Sequence, residues 1–430
     1  MNRLRVTSGP VLALTTVWAA SRALMGWLLT HDSSPLLGGG SVPREVWRLY
    51  VHWYGVLAQG TFPTHDSTWQ YPPGAGALLL LPGAVTRLVP GSTYFQAFVA
   101  LTLTADALIL AALVYAGTRP GRSLAGAALW TCGLPLLLHL PLARYDVLVT
   151  ALAVASLLTA GRSRRAGGAF AALGALVKVW PVLVLLGTPR GPATRRAWGW
   201  AAGTAAAVFT LLAVALRHPL DFLREQGGRG VQIESFGGTA LNLARRLGWP
   251  GRARYQYGSV EMTGPHVHAV ATASLALTAV AFALLVLWRL RARHWSPATP
   301  YDAALAAVLL FTVTSRVISP QYLVWLIGLA AVCLTSRHTT QRPVALLICA
   351  ASALSSVVYP VFYQDVVTGT WTGCLLILAR NLLLAAAALL SFVRLWRAAR
   401  PPRAELPATR VRARSGTERR AERKVGKVGA

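Results

Sequence analysis

Six short stretches hold most of the side chains that could do chemistry, and each abuts an apolar run. They are "PREVWRLYVHWYGVLAQG" (43–60), "HDSTWQYPP" (65–73), "LARYDVLV" (142–149), "ALVKVWP" (175–181), "GGRGVQIESFGG" (227–238) and "RVISPQYLVW" (316–325). Glu45 and Asp66 are candidate general bases, because a carboxylate within hydrogen-bond reach of a hydroxyl can take its proton. Lys178, Arg144 and Arg229 are candidate cations for a departing anion such as phosphate. Trp69, Tyr71, Asp146, Glu234, Gln321 and Tyr322 could hold hydroxyl groups of a substrate. Several of these have a plainer reading. Glu45 suits the first turn of a helix as a dipole-complementing acid, the Trp and Tyr residues suit an aromatic belt, Arg144 and Asp146 could be a solvated pair at a helix end, and Lys178 could snorkel to an interface.

The elements that position these residues are membrane helices. Of 430 residues, 54% are hydrophobic and 13% charged, and several apolar stretches approach or exceed the roughly 18 residues that cross a bilayer. The fold class is therefore an all-α polytopic membrane protein with about 10–12 membrane helices. The segments fall at 10–30, 72–90, 93–116, 122–140, 145–160, 166–187, 197–216, 266–288, 301–318, 320–335, 343–362 and 372–394. Residues 10–30 read as a retained first span, since no small-residue cleavage site follows. Cys132, Cys333, Cys349 and Cys374 lie in apolar segments without metal-ligand spacing, so they read as core residues and no metal or cofactor is expected.

The net charge of +28 does not indicate nucleic acid. Twelve basic and three acidic residues follow from Arg394 onward, and other arginines sit in short loops, the placement of cytoplasmic faces beside anionic membrane lipids. Arg3 and Arg5, the loops "RLRARHW" (289–295) and "SRHTTQR" (336–342) and the tail put both termini in the cytoplasm. Parity then requires that 72–90 and 166–187 be hairpin or re-entrant elements, broken near Pro82 and at Trp180-Pro181, which leaves ten full crossings. The outer loops are 31–71 and 217–265. A membrane domain of residues 1–398 precedes a basic tail, 399–430, with the composition of a disordered segment.

Within the first outer loop, Pro43 and Gly60 punctuate a helix of about four turns. Trp47, Tyr50, Trp53, Tyr54 and Leu57 recur at helical spacing, as in an amphipathic helix lying at the headgroup level. Pro72-Pro73 bars a helix from starting earlier and keeps "WQY" extended. The alternation in "VQIES" is strand-like but short. The shared placement of the polar groups at the outer ends of spans points to a cavity on that face.

These stretches, in this order, resemble the C-type-fold membrane glycosyltransferases, specifically bacterial glycosyltransferase family 87, the polyprenyl-phosphate-mannose-dependent mannosyltransferases. The resemblance covers the chain to about residue 398. It implies a bacterial plasma-membrane enzyme that takes a hexose, mannose in the family, from a polyprenyl-phosphate donor and passes it with inversion to a lipid or glycan acceptor at the extracytoplasmic face. Family members carry Asp in a "DV" dipeptide where this chain has Glu45 in "EV". Either Glu45 is the base, or Asp66 is, or the chain no longer catalyses. A transporter or flippase is the alternative class, although such proteins commonly show internal repeats and midplane charges, and no repeat is evident here.

Overall fold

The computed structural model describes residues 8–37 and 42–400. Arg3, Arg5, the middle of the first outer loop and the basic tail beyond residue 400 lie outside the described residues. In chain order the helices are α1 (Ser8–Thr30), α2 (Val51–Leu57, continuing a π-helical turn at Val46–Tyr50), α3 (Gly74–Leu88), α4 (Tyr94–Gly117), α5 (Ala125–Gly133, prolonged by a 3-10 turn at Leu134–Leu137), α6 (Asp146–Ala160), α7 (Arg164–Val177), α8 (Pro192–Ala215), α9 (Asp221–Gly228), α10 (Phe236–Arg246), α11 (Val267–Arg291), α12 (Thr299–Thr314), α13 (Tyr322–Leu334), α14 (Arg342–Ser356), α15 (Tyr363–Thr368) and α16 (Trp371–Ala398). Strands β1 (Val231–Gln232), β2 (Arg252–Gln256) and β3 (Ser259–Thr263) form a small antiparallel sheet in the order β1-β3-β2.

Six helices, α1, α4, α8, α11, α14 with its continuation, and α16, are individually long and apolar enough to cross a membrane. The shorter α5, α6, α12 and α13 run between the same two faces and form the centre. Helix α13 is apolar on every side and buried from Leu323 to Cys333, as expected of a helix wrapped by others. With the six long helices, α5, α6, α12 and α13 make ten apolar helices.

The other two apolar stretches return to the face they leave. Helix α3 folds back along α2: Gly76 faces Leu57 and Phe62, Gly83 faces Tyr54, and the Tyr94 hydroxyl that opens α4 donates to the Leu79 carbonyl. Helix α7 and the 3-10 segment Trp180–Gly187 form a hairpin. Its base lies where Gly187 meets Pro300 at the start of α12, and its tip is Lys178. Two break points differ from expectation. Pro82 sits inside an uninterrupted α3, a tolerance that buried membrane helices show where neighbours re-satisfy the backbone. The hairpin breaks at Lys178 (φ −152°, ψ 129°), two residues before Trp180, where the ammonium is drawn to an acid on α6. The helix of the first outer loop also faces differently: Tyr50, Trp53 and Leu57 are buried in the protein, and Trp47 alone of the stripe is largely exposed. Glycines on α3 let that helix close over the stripe instead of lipid.

Helices α1, α4 and α5 are clamped by one intramembrane acid. Asp106 accepts from Arg22 Nε and Nη2 at 2.7 and 2.9 Å, from Trp18 Nε1 at 2.8 Å and from Trp130 Nε1 at 2.7 Å. Four donors satisfy a carboxylate that would otherwise be costly in hydrocarbon.

Candidate active site

Two loops and the ends of α6, α12 and α13 meet on one face, called here the site face. The loop between α8 and α11 is tied to the "WQY" segment by the Gln226 side chain, which donates to the Gln70 carbonyl at 2.8 Å. It is also held by Arg316, whose guanidinium donates to the carbonyls of Arg229 and Gln226. The β2–β3 hairpin turns at Tyr257-Gly258, both with positive φ, and its tip rests against Thr68 and Leu49. The polar residues below are thus roofed over.

Lys178 occupies the centre. Its Nζ donates to Asp146 Oδ1 at 2.6 Å, and the same oxygen accepts from Trp325 Nε1 at 2.7 Å. Asp146 is 1% exposed and Lys178 13%. Four rings surround the ammonium: Trp325 at 4.8 Å, Tyr145 at 4.9 Å, Tyr322 at 5.4 Å and Tyr71 at 6.0 Å from the ring centroids. Aromatic faces stabilise a partly desolvated cation without consuming its N–H donors. Lys178 therefore keeps donors for an incoming anion.

Glu45 sits just before the π-helical turn. Its Oε2 accepts from Arg144 Nη2 at 2.8 Å, and the Tyr50 hydroxyl lies 3.3 Å from Oε1. Arg144 is anchored by Nη1 on the carbonyls of Val42 and Ala143, and its Nε is buried without a partner. Tyr50 packs on Tyr145, and Tyr145 packs on Tyr71, so one aromatic cluster links the Glu45 and Lys178 pairs. Burial, then the Glu45 charge, pushes the hydroxyls of Tyr50 and Tyr71 well above the usual phenol range; both stay protonated and can donate.

Arg144 and Asp146 do not pair with each other, contrary to the solvated-pair reading. One residue apart at the start of α6, they point to different partners and are both buried. Asp66 serves its own loop: Oδ1 accepts from the Thr68 amide at 2.9 Å and hydroxyl at 2.5 Å, and Oδ2 accepts from Trp53 Nε1 at 3.0 Å. Trp69 is a buried wall, edge-on to Trp53 and Tyr71. Arg229 donates through Nε to Glu261 at 3.1 Å and through Nη2 to the Ser259 hydroxyl at 2.9 Å. Glu234 is buried against Arg380 Nη2 at 3.3 Å, and burial outweighs that arginine, so its carboxyl is pushed up to about 7. Gln321 caps α13.

The sequence profile of Glycosyltransferase family 87 matches residues 69–320. The chain belongs to this family. Among solved structures, it is similar to the crystal structure of ArnT from Cupriavidus metallidurans bound to undecaprenyl phosphate, at 15% identity and a TM-score of 0.46, over 91% of this chain and 79% of that one. No curated protein matches significantly. The family 87 chain is accordingly a multi-pass membrane glycosyltransferase, and the fold class read from its sequence, all-α and polytopic with a helix in the first outer loop, is the one observed.

Two charged site residues of this family 87 protein escaped the sequence reading. Arg380, in "LARNLLL" of α16, is fully buried with Nε and Nη1 unpartnered. It is a cation inside an apolar run, the same signal that singled out Lys178, and could have been found that way. Glu261 had no such signal, because it becomes a site residue only by pairing across the sheet. Among the described residues no group of three or more His, Cys, Asp or Glu could hold a metal ion.

Proposed function

We infer that this chain transfers a hexose, mannose by the family resemblance, from a polyprenyl-phosphate donor to the hydroxyl of a lipid or glycan acceptor, with inversion at the anomeric carbon. The observation that carries this reading is Lys178: a caged ammonium with one carboxylate partner and free N–H donors, beside the Glu45–Arg144 pair. The acceptor oxygen attacks C1 as the C1–O bond to phosphate breaks. The acceptor proton passes to Glu45, and the phosphate departs with its charge held by Lys178, Arg144 and Arg229.

Glu45 suits the base better than Asp66. A carboxylate offers about four lone-pair positions; Asp66 has three committed to short bonds within its loop, whereas Glu45 has one firm bond and one long contact. Arg144, anchored on two carbonyls, orients the Glu45 carboxylate. Tyr71, Trp69, Asp146, Glu234, Gln321 and Tyr322 surround the sugar and acceptor hydroxyls, directly or by shaping the wall. The distribution of arginines supports a bacterial plasma membrane setting in which both termini are cytoplasmic and the site face is extracytoplasmic. Lys and Arg neutralise the phosphate, so the proposed reaction needs no metal and no cofactor.

The test is sugar transfer from radiolabelled polyprenyl-phosphate mannose in nanodiscs, with a cell-envelope lipid extract as acceptor. Glu45→Gln should abolish transfer, by at least about a hundredfold for a lost general base, and Glu45→Asp should retain or raise it. Equal transfer by wild type and Glu45→Gln would remove Glu45 from the chemistry.

A further inference from the structure

The face opposite the site carries a second cavity, of about 470 Å³, where the loop before α8 meets the ends of α11 and α16. Arg190, Arg291, Arg293 and Arg400 line it, together with Trp288 and Trp396. Among the described residues no carboxylate lines it. Arg190 donates to the Arg289 backbone carbonyl, while neighbouring Arg289 is spent on the Leu186 and Thr188 carbonyls and the Thr194 hydroxyl. Among the described residues, no acid pairs with any of the four lining guanidiniums. Trp288 is 1% exposed, and its indole N–H is buried without an acceptor.

Four exposed guanidiniums thus gather like charge around one cavity, and an anionic group rich in acceptor oxygens complements them. Leu290, which lines the same cavity, is largely exposed, and exposed Val286, one turn before it on α11, and Leu389 and Leu382, two and four turns before the lining residue Trp396 on α16, extend apolar surface from it. A soluble anion would gain nothing from that surface, whereas acyl chains would.

We propose that this cavity is a binding site for the phosphate headgroup of an anionic phospholipid, with the phosphodiester oxygens accepting from the surrounding guanidiniums and the chains lying on α11 and α16. Basic pockets between membrane helices hold headgroups in this way. The site lies across the membrane from Lys178 and does not rest on the donor or acceptor inferred above.

The test uses the full chain, delipidated in neutral detergent and titrated separately with short-chain phosphatidylglycerol, short-chain phosphatidylcholine and inorganic phosphate, with native mass spectrometry as the readout. Each surface guanidinium contributes roughly fivefold to anionic-lipid affinity. Replacing two, Arg291→Gln with Arg293→Gln, should weaken phosphatidylglycerol binding about thirtyfold and leave the weak phosphatidylcholine binding unchanged. The double variant should fold, since among the described residues neither arginine side chain makes a hydrogen bond or ion pair. Equal binding of the two lipids, or undiminished phosphatidylglycerol binding by the double variant, overturns the proposal. Inorganic phosphate binding as tightly as phosphatidylglycerol overturns the lipid assignment in favour of a soluble phosphate.

Discussion

The Asp146–Lys178 pair allows folding and chemistry to be separated. Lys178→Met removes the ammonium and leaves Asp146, 1% exposed, with only the Trp325 N–H for company. A stranded buried carboxylate can escape by taking a proton. Raising a carboxylic acid from its reference pKa of about 3.9 to pH 7 costs about 1.36 × 3.1, or about 4 kcal/mol, which caps the destabilisation. Asp146→Asn strands Lys178 instead, and deprotonating a lysine of reference pKa about 10.4 at pH 7 costs about 1.36 × 3.4, or about 5 kcal/mol. Both ceilings agree with the roughly 3–5 kcal/mol expected for breaking a buried pair. The double variant Asp146→Asn/Lys178→Met strands nothing, so it should lie within about 1–2 kcal/mol of wild type, far from the sum of the singles. Transfer should nonetheless stay lost in the double variant, because the cation for the leaving phosphate is gone. Thermal unfolding of purified protein in nanodiscs measures the first quantity and the radiolabel assay the second. An additive double variant would refute the pair as an isolated buried unit. A double variant that transfers sugar near the wild-type rate would refute the role assigned to Lys178.

Other outcomes follow from the same geometry. Gly74→Ala would place a methyl 2.7 Å from the backbone carbonyl of Leu176, two residues from Lys178; backbone cannot yield as a side chain can, so about 1–3 kcal/mol of stability and most transfer should be lost, read by melting and by assay. Asp106→Asn withdraws the charge that serves Arg22, Trp18 and Trp130 and should cost about 3–5 kcal/mol, while any protein that remains folded transfers sugar normally because the clamp does not touch the site. The Glu234 carboxyl, raised from 4.5 to about 7, binds its proton more tightly folded than unfolded. Its contribution to stability is therefore present below about pH 4.5 and falls as pH rises from there through about 7. Melting temperature should drop over that interval in wild type, and Glu234→Gln should flatten the profile; an unchanged slope in the variant would assign the drop to other groups.

Much of this architecture is legible in the residue order. Apolar length marks the crossings, because a bilayer imposes a fixed span on each helix, and arginine placement with parity singles out 72–90 and 166–187 as stretches that turn back. Pro72-Pro73 forces the start of α3 at Gly74, a constraint local to two rings. The residue types at the site were visible too, since a cation in an apolar run has few uses. Their partners were not. Glu45 and Arg144 stand close enough to other charges in sequence, Arg48 and Asp146, to suggest local pairs, yet the structure joins Arg144 to Glu45 and Asp146 to Lys178 and Trp325, the last across 179 residues. Arg380 reaches Glu234 across 146 residues. In a low-dielectric interior a charge takes whichever partner the packed helices bring within about 3 Å, since leaving it unpaired costs more than any local preference returns. Solvent and lipid exposure were likewise tertiary decisions: the Trp47–Leu57 stripe has the spacing of a headgroup helix, and most of it becomes core because Phe98 and Tyr145 cover Tyr50, Trp69 and Tyr71 cover Trp53, and α3 closes on Tyr54 and Leu57 at Gly83 and Gly76. Periodicity and length are properties of one segment and can be read from it. Pairing and burial are properties of two or more segments, and only the folded chain decides them.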